Sequence, residues 1–426
     1  MTDGGGLRWQ SDPMHTHEPV RIPLRVRVLF VAHFLSSFAM VGQVTIVGKQ
    51  VYDLTGRELD LGLLGLAEFL PVAVLAPLAG TVADRIDRRW VFGAALVVEA
   101  LASLLFFGYA RSEPTSVMPI FLIAGLVGVA RAFAAPAGRA LVIDLSPLAV
   151  VARVVALKSV AYQAGIIVGP VVLGFLFVVD EPLPYLAAAA ALSIAFGIVV
   201  LTPSSGIRRL DALSPGRAVH EALEGLRFIR RSPILFGAMG LDLFAVLFGG
   251  AIALLPAIAE DRLGVGAVGL GWLRAAVGIG AGAVTIVLAI RPVQRNLGHI
   301  LLAVVTVFGA GTVVLGFSRN YALAFVVLMV LSAADAVSMF IRLTLVPLAT
   351  PEEMRGRVLA VENVFIGASN ELGAAESGLT AAVMGLVGAV VFGGVCTVVV
   401  VALWWRWFPD LRDLDTFDEV LPTIRE

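Results

Sequence analysis

Twelve apolar stretches, each about the 20 residues needed to cross a bilayer as a helix, limit this chain more than any motif does. They run near 28–48, 61–83, 89–110, 117–137, 154–178, 184–202, 234–258, 267–290, 299–317, 321–345, 358–384 and 386–405. In hydrocarbon, only helices and closed barrels satisfy every backbone N–H and C=O. These runs are too long and too unbroken for barrel strands. The expected fold class is therefore an all-α membrane protein with twelve transmembrane helices. Hydrophobic residues make up 59% of the chain and charged residues 15%, far from the balance of a soluble domain. The first run follows the polar segment 1–27 and is too long for a signal-peptide core, so it reads as a true span.

Several function classes drop out. No basic tract suggests nucleic acid, and the net charge of -1 selects no partner. The single cysteine, Cys396, lies inside the last apolar run, so neither a disulfide framework nor a Cys-based metal site is expected. There is no Gly-Lys-Ser/Thr phosphate loop, no HExxH and no convincing nucleophile–base pair. ATP-driven transport, catalysis, a metal and a cofactor are all unexpected. His15 and His17 read as part of a disordered tail.

Basic residues set the orientation. Of 31 Lys and Arg, 22 fall in the tails and loops of one face, five at the other, and four inside helices. This predicts both termini in the cytoplasm. The expected organisation is an N-terminal tail 1–27, a six-helix bundle 28–202, a linker 203–233, a second six-helix bundle 234–405 and a C-terminal tail 406–426. In the linker, Arg217 to Arg231 with Val219, Leu223, Leu226 and Phe228 alternate at helical spacing. That predicts a basic amphipathic helix on the inner leaflet, a solvated tether, or both. The bundles look like repeats: a shift of about 205 residues aligns Gly65 with Gly271, Arg85 with Arg291, Pro147 with Pro351, and Gly169 with Gly373.

The run Gly80-Thr81-Val82-Ala83-Asp84-Arg85-Ile86-Asp87-Arg88-Arg89, in the gap between helices 2 and 3, resembles the G-x-x-x-D-R-x-G-R-[RK] loop of the major facilitator superfamily. One position departs: Asp87 stands where glycine is usual. An acid there is similar to the branch holding the enterobactin exporter and drug:proton antiporters of the macrolide-efflux type. The segments Arg131-Ala132-Phe133, Glu224-Gly225-Leu226-Arg227-Phe228 and Thr350–Val358 also resemble that branch. The resemblance implies two pseudo-symmetric six-helix bundles around a central pathway. It implies a cytoplasmic latch built on Gly80, Asp84, Arg85, Arg88 and Arg89, with Asp84 accepting from Arg88. Gly165, Gly169, Pro170 and Gly174 on helix 5 resemble an antiporter signature, although small residues at this spacing also serve simple close packing.

Ionisable groups in the bilayer are costly and default to functional candidates. Seven acids (Glu68, Glu99, Asp242, Asp335, Glu362, Glu371, Glu376) and four bases (Arg131, Lys158, Arg274, Arg342) fall inside the apolar runs. In the resembled fold, helices 3, 6, 9 and 12 face lipid, and only Glu99 lies on one of these. The repeat alignment matches Arg131 with Asp335 and Lys158 with Glu362. The sequence therefore predicts a gate in which Arg131 and Lys158 oppose Asp335 and Glu362 when the inner side closes. The alternative is that each charge is neutralised within its own bundle. On helix 11, Glu362, Asn363, Ser369, Asn370, Glu376 and Ser377 share an arc of about 140° at helical periodicity. Asn370, Glu376 and Ser377, with Arg274 and His33, are expected to line a substrate cavity. Asp242 and Glu68, then Glu371, are the expected proton carriers.

Together these predict a plasma-membrane transporter, most simply a monomer, that exports a small amphipathic molecule such as a drug or siderophore against protons. An importer or uniporter of the same fold, or a non-transporting sensor, remains open at this point.

Overall fold

The computed structural model describes residues 22–204 and 215–420. Linker residues Arg208 and Arg209, the tail histidines and the last six residues lie outside the described residues. Among those described, eleven helices are long and apolar enough to cross a membrane. They are α1 (Leu24–Thr55), α2 (Glu58–Arg85), α3 (Arg88–Ala110), α4 (Met118–Asp144), α5 (Val151–Val179) and α6 (Leu183–Val200). After the linker helix α7 (Pro215–Arg231) come α8 (Pro233–Arg262), α9 (Gly266–Ile290), α10 (Leu297–Phe317), α11 (Tyr321–Leu348) and α12 (Glu352–Trp407).

The twelfth crossing comes from α12, which doubles back. Gly373 packs on Val246 and Leu247, and Gly393 packs on Phe248. Twenty residues of straight helix would hold these glycines about 30 Å apart. The reversal occurs at Gly385, which takes φ +74°, a conformation that costs glycine alone little. The sequence-level spans also shift in two places. Helix α1 continues past residue 48 to Thr55, because the polar residues there are satisfied: Lys49 is buried against Asp53 and Glu260. Helix α8 does not run unbroken; it passes through a 3-10 turn at Gly250–Ile252 and a π turn at Ile258–Arg262.

Six helices form each bundle. In the first, α1 packs on α5 and α6, α2 on α4, and α3 on α4 and α6; in the second, α8 and α10 pack on α12, and α11 on α9 and α10. Two packings, α5 on α9 and α2 on α12, form the main seam between bundles. Small residues bring the seam helices close. A methyl group at Gly62 would stand 2.9 Å from the Ala374 carbonyl oxygen, and one at Gly271 would stand 2.3 Å from that of Pro170. The glycines of α5 divide their work. Gly165 and Gly169 press on Phe34, Ser37 and Phe38 of α1 in the same bundle, whereas Gly174 meets Ala267 across the seam.

The seam is closed at one end only. The terminal face carries Arg85–Arg89 and the linker helix; the far face carries the turn at Gly385. Near the far face, Lys49 pairs with Glu260 at 3.1 Å and Tyr52 donates to Asp261 at 2.5 Å, both across the seam. Contact continues to Gln163, whose amide donates to the Gly278 carbonyl at 2.7 Å, and to Phe69 beside Gly367. Beyond that depth, Val155, Leu157 and Val160 of α5 are exposed, as are Ile286, Val287 and Ile290 of α9. Leu70, Val74 and Leu78 of α2 and Val364 of α12 are exposed as well. The bundles are joined toward the far face and apart toward the terminal face.

The linker helix α7 turns its apolar side onto protein. Ile229 is buried, and Leu226 and Phe228 pack with it against Val358, Leu359 and Phe365. Glu224 pairs with Arg357 at 2.8 Å, and Arg227, Arg230 and Arg231 are exposed. Leu223, also on the apolar side read from the sequence, is exposed, so among the described residues only Leu226, Phe228 and Ile229 of that side are taken up by protein.

Candidate functional site: charges along the seam

Nine of the eleven charged groups within the membrane gather in two clusters, Lys158 and Glu376 standing outside both. The first lies on the seam. Arg131 of α4 donates to Glu68 of α2 at 2.6 Å, with side chains 22% and 14% exposed. Gly128, one turn before Arg131, makes this possible: a methyl there would be 2.1 Å from the Glu68 carbonyl oxygen, so α4 and α2 nearly touch. Glu99 of α3 is buried and within electrostatic range of both. From the other bundle, Glu371 of α12 reaches over Gly65 of α2, and Arg274 of α9 lies within electrostatic range of Glu68 and Glu371. Three carboxylates and two guanidiniums thus meet from both bundles.

The second cluster belongs to the C-terminal bundle. Arg342 of α11 donates to Asp242 of α8 at 2.6 Å, with side chains 4% and 9% exposed. Asp335 and Glu362 are within electrostatic range of Arg342. The Glu362 Oε1 and the Arg342 Nε atoms are both buried without a hydrogen-bond partner. Three acids surround one arginine.

Some sequence pairings differ from what the structure brings together. Arg131 is held by Glu68, not by Asp335, because α2 and α4 are neighbours in one bundle. In this state, neutralisation within a bundle describes Arg131 and Asp242. Lys158 makes no ion pair among the described residues; the charge nearest to it electrostatically is Arg139 of its own bundle. His33 does not line the space between bundles. It is buried, its ring stacked at 5.5 Å on Phe92. The polar arc of α12 is split. Asn363 and Asn370 are exposed, Glu362, Ser369 and Ser377 are buried, and Glu376 accepts from Thr380 at 2.8 Å. Ser377 abuts Gly250 of α8, so close helix packing takes one edge of the arc.

Arg88 and Arg89 of the loop at 80–89 bond within their own bundle. Arg88 pairs with Asp144 at the end of α4, and Arg89 donates to the Thr202 carbonyl at 2.8 Å after α6. Arg85 is exposed; the side-chain surroundings of Gly80 and Asp84 lie outside the described residues. Sequence reasoning missed two roles. Asp87, noted only as a departure, caps α3: its carboxylate accepts from the Arg89 backbone N–H at 3.0 Å and from Ser204 at 2.6 Å. Its position just before a helix was the available signal. Glu99, set aside because its helix was assigned to lipid, points into the seam cluster. Arg131 at the same depth on the neighbouring helix was its signal.

The family described as transmembrane secretion effector (MFS_3) matches residues 15–420. The quinolone resistance protein NorA of Staphylococcus aureus (strain Mu50) is 25% identical over 194 residues, 44% of this chain and 49% of NorA. The uncharacterised MFS-type transporter YfiS of Bacillus subtilis (strain 168) is 26% identical over 63% of this chain and 62% of YfiS. The chain thus spans about half of NorA and under two thirds of YfiS. Among solved structures, the nucleoside transporter NupG has a TM-score of 0.72 at 12% identity, covering 90% of this chain and 100% of that one. A bacterial homologue of the lysosomal transporter Spinster, in an inward-facing and unoccupied conformation, scores 0.70 at 14% identity, covering 94% and 99%. At these identities the structural likenesses establish the fold.

Proposed function

Because the chain belongs to the transmembrane secretion effector family of the major facilitator superfamily, we propose that it exports a small amphipathic molecule by alternating access, driven by protons. One observation carries the proposal: the seam cluster joins both bundles and holds one more acid than base. Fully ionised, Glu68, Glu99, Glu371, Arg131 and Arg274 sum to one negative charge inside the membrane. Uncompensated buried charge is expensive, so a single proton, or a cationic group of the cargo, makes the cluster neutral. Two occupants competing for one site is what exchange of cargo for protons requires.

Glu371 is the best carrier within this reading. Glu68 and Asp242, the stronger candidates from sequence, each have an arginine at 2.6 Å, while Glu371 makes no ion pair among the described residues. The distribution of Lys and Arg supports a cytoplasmic terminal face. This face is the open one, so the state is inward-facing. Outward opening would break the Lys49–Glu260 and Tyr52–Asp261 contacts and bring the terminal ends of the bundles together. Lys158 then approaches Glu362, supplying a cation to a cluster that has three acids and one arginine. The name of NorA supports a drug as cargo; a siderophore rests on the branch resembled by the loop at 80–89.

The test is proteoliposomes with an imposed pH gradient and an internal pH dye. Amphipathic drugs and siderophores are expected to move protons against cargo, and Glu371→Gln is expected to abolish this proton movement. Cargo flux without proton movement refutes the coupling and favours a uniporter. Uptake along the proton gradient favours an importer. Binding with no flux in either direction favours a sensor.

A further inference from the structure

Arg274 stands apart from the other arginines inside the membrane. Arg131 and Arg342 each have a carboxylate at 2.6 Å. Arg274 has no hydrogen bond and no ion pair among the described residues, and its Nε is buried without a partner. The acids within electrostatic range are Glu68 and Glu371. Glu68 already holds Arg131, and Glu371 lies over Gly65 on α2. A guanidinium left unpaired at this depth is costly, and a nearby carboxylate that stops short of it leaves a gap between opposite charges.

The gap is placed where cargo must pass. Gly271, one turn to the far-face side of Arg274, presses on Pro170 of α5; Gly278, one turn to the other side, meets Ile167 and accepts from Gln163. The contact between α5 and α9 continues one turn further, to Gly282 beside Gln163, and beyond it the opening toward the terminal face begins. Arg274 therefore sits at the closed end of the space between bundles, between the helices that part during a transport cycle.

Resting on the transport reading above, we propose that Arg274 binds an oxyanion of the cargo, a carboxylate in the simplest case, with Glu371 facing the cargo's cationic end. The cargo is then a zwitterion, not a plain lipophilic cation. The planar guanidinium presents paired N–H donors that match both oxygens of a carboxylate, and such charge-assisted pairs are the stronger class of hydrogen bond. Cargo bound in this way fills the gap and pairs an intramembrane guanidinium that has no partner among the described residues. Once the cargo leaves, the cost of the unpaired guanidinium returns and favours the next binding event.

Two dyes that differ only at one group give the test: a free-acid rhodamine and its methyl ester. Both are titrated by fluorescence anisotropy against the full chain in lipid nanodiscs. The acid is expected to bind about ten-fold more tightly, the scale of one charge-assisted pair. Arg274→Gln is expected to erase that preference by weakening the acid alone, and Arg274→Lys to keep part of it. If Arg274→Gln does not fold, the Lys variant carries the comparison, since it keeps the charge and loses the two-pronged geometry. An ester bound as tightly as the acid, a preference unchanged in the variants, or no binding of the acid dye overturns the proposal. Flux of both dyes in proteoliposomes separates the two readings. Ester carried and acid refused sinks the oxyanion site while leaving export intact, whereas the pH-gradient assay alone decides export.

Discussion

Replacing Arg342 with methionine tests the reasoning about buried charge most directly. The Arg342 and Asp242 side chains are 4% and 9% exposed and their atoms are 2.6 Å apart, so solvent screens the pair little. Removing one partner of a buried pair costs about 3–5 kcal/mol, because the other charge is left without compensation. Here the loss is at least in the middle of that range. Asp335 and Glu362 also face Arg342, so its removal leaves three acids together. A cost of about 4 kcal/mol is close to a thousand-fold change in the folded-to-unfolded ratio. Arg342→Met with Asp242→Leu is expected to recover part of this, since a nonpolar pair of similar volume replaces a buried ion pair at little net cost while Asp335 and Glu362 stay without their cation. Unfolding titrated with SDS and followed by tryptophan fluorescence suits the measurement: Trp404 donates to the Gly237 carbonyl on α8 at 2.8 Å and so reports the helix that carries Asp242. Acid should narrow the deficit of the single variant by neutralising the orphaned carboxylates. A single variant within about 1 kcal/mol of the parent, or a double variant no better than the single, refutes the argument.

Three further outcomes follow from the seam and the tail. Gly271→Val places atoms where even a methyl would be 2.3 Å from the Pro170 carbonyl; it should wedge the far-face seam open and speed maleimide labelling of Ala267→Cys, now buried, in a Cys396→Ser background. Glu260→Gln with Tyr52→Phe should act in the same direction but weakly, up to about five-fold, because Glu260 is 45% exposed and surface pairs contribute about 1 kcal/mol or less. In the C-terminal segment, the Asn296 backbone N–H and then the Arg295 guanidinium hold the Asp415 carboxyl below the usual aspartate range. A depressed carboxyl contributes in full above its unfolded value, about 3.9, and loses that contribution as pH falls through the lower folded value. Limited proteolysis should therefore release the segment after Trp407 in that acid window, and Asp415→Asn should release it at neutral pH.

How much of this was readable in the sequence depended on the physical scale of each feature. Crossing a bilayer is a property of about 20 residues taken together, so the twelve crossings were legible, including the tight turn at Gly385. Helix ends were less so. The end of α1 was misplaced because Lys49 looks like a boundary until Glu260, more than two hundred residues later, is known to lie beside it. The break in α8 had no comparable signal, since Gly250 alone does not show that Gly373 presses on it.

Charge pairing was the least legible, and the reason is geometric. Helical neighbours within a bundle are set by packing, whereas the repeat alignment relates positions in different bundles. It matched Arg131 to Asp335 and passed over Glu68, which lies nearer because Gly128 draws α4 onto α2. One residue of helical rotation also decides which face a carboxylate takes, which is why Glu371, off the polar arc of α12, reaches the seam while Ser377, on the arc, is buried against α8. What the alignment did capture is a sign relation between the bundles, with Lys158 on one side and Glu362 on the other, neither now paired with the other. The buried, unpartnered Glu362 oxygen gives that relation physical content, because an acid desolvated without a donor favours any motion that brings a cation to it. Reversing both charges, Lys158→Glu with Glu362→Lys, restores the attraction and should rescue transport lost in either single reversal. Rescue would place the pair in the closed inner gate, and no rescue would mean that each bundle settles its own charges throughout the cycle.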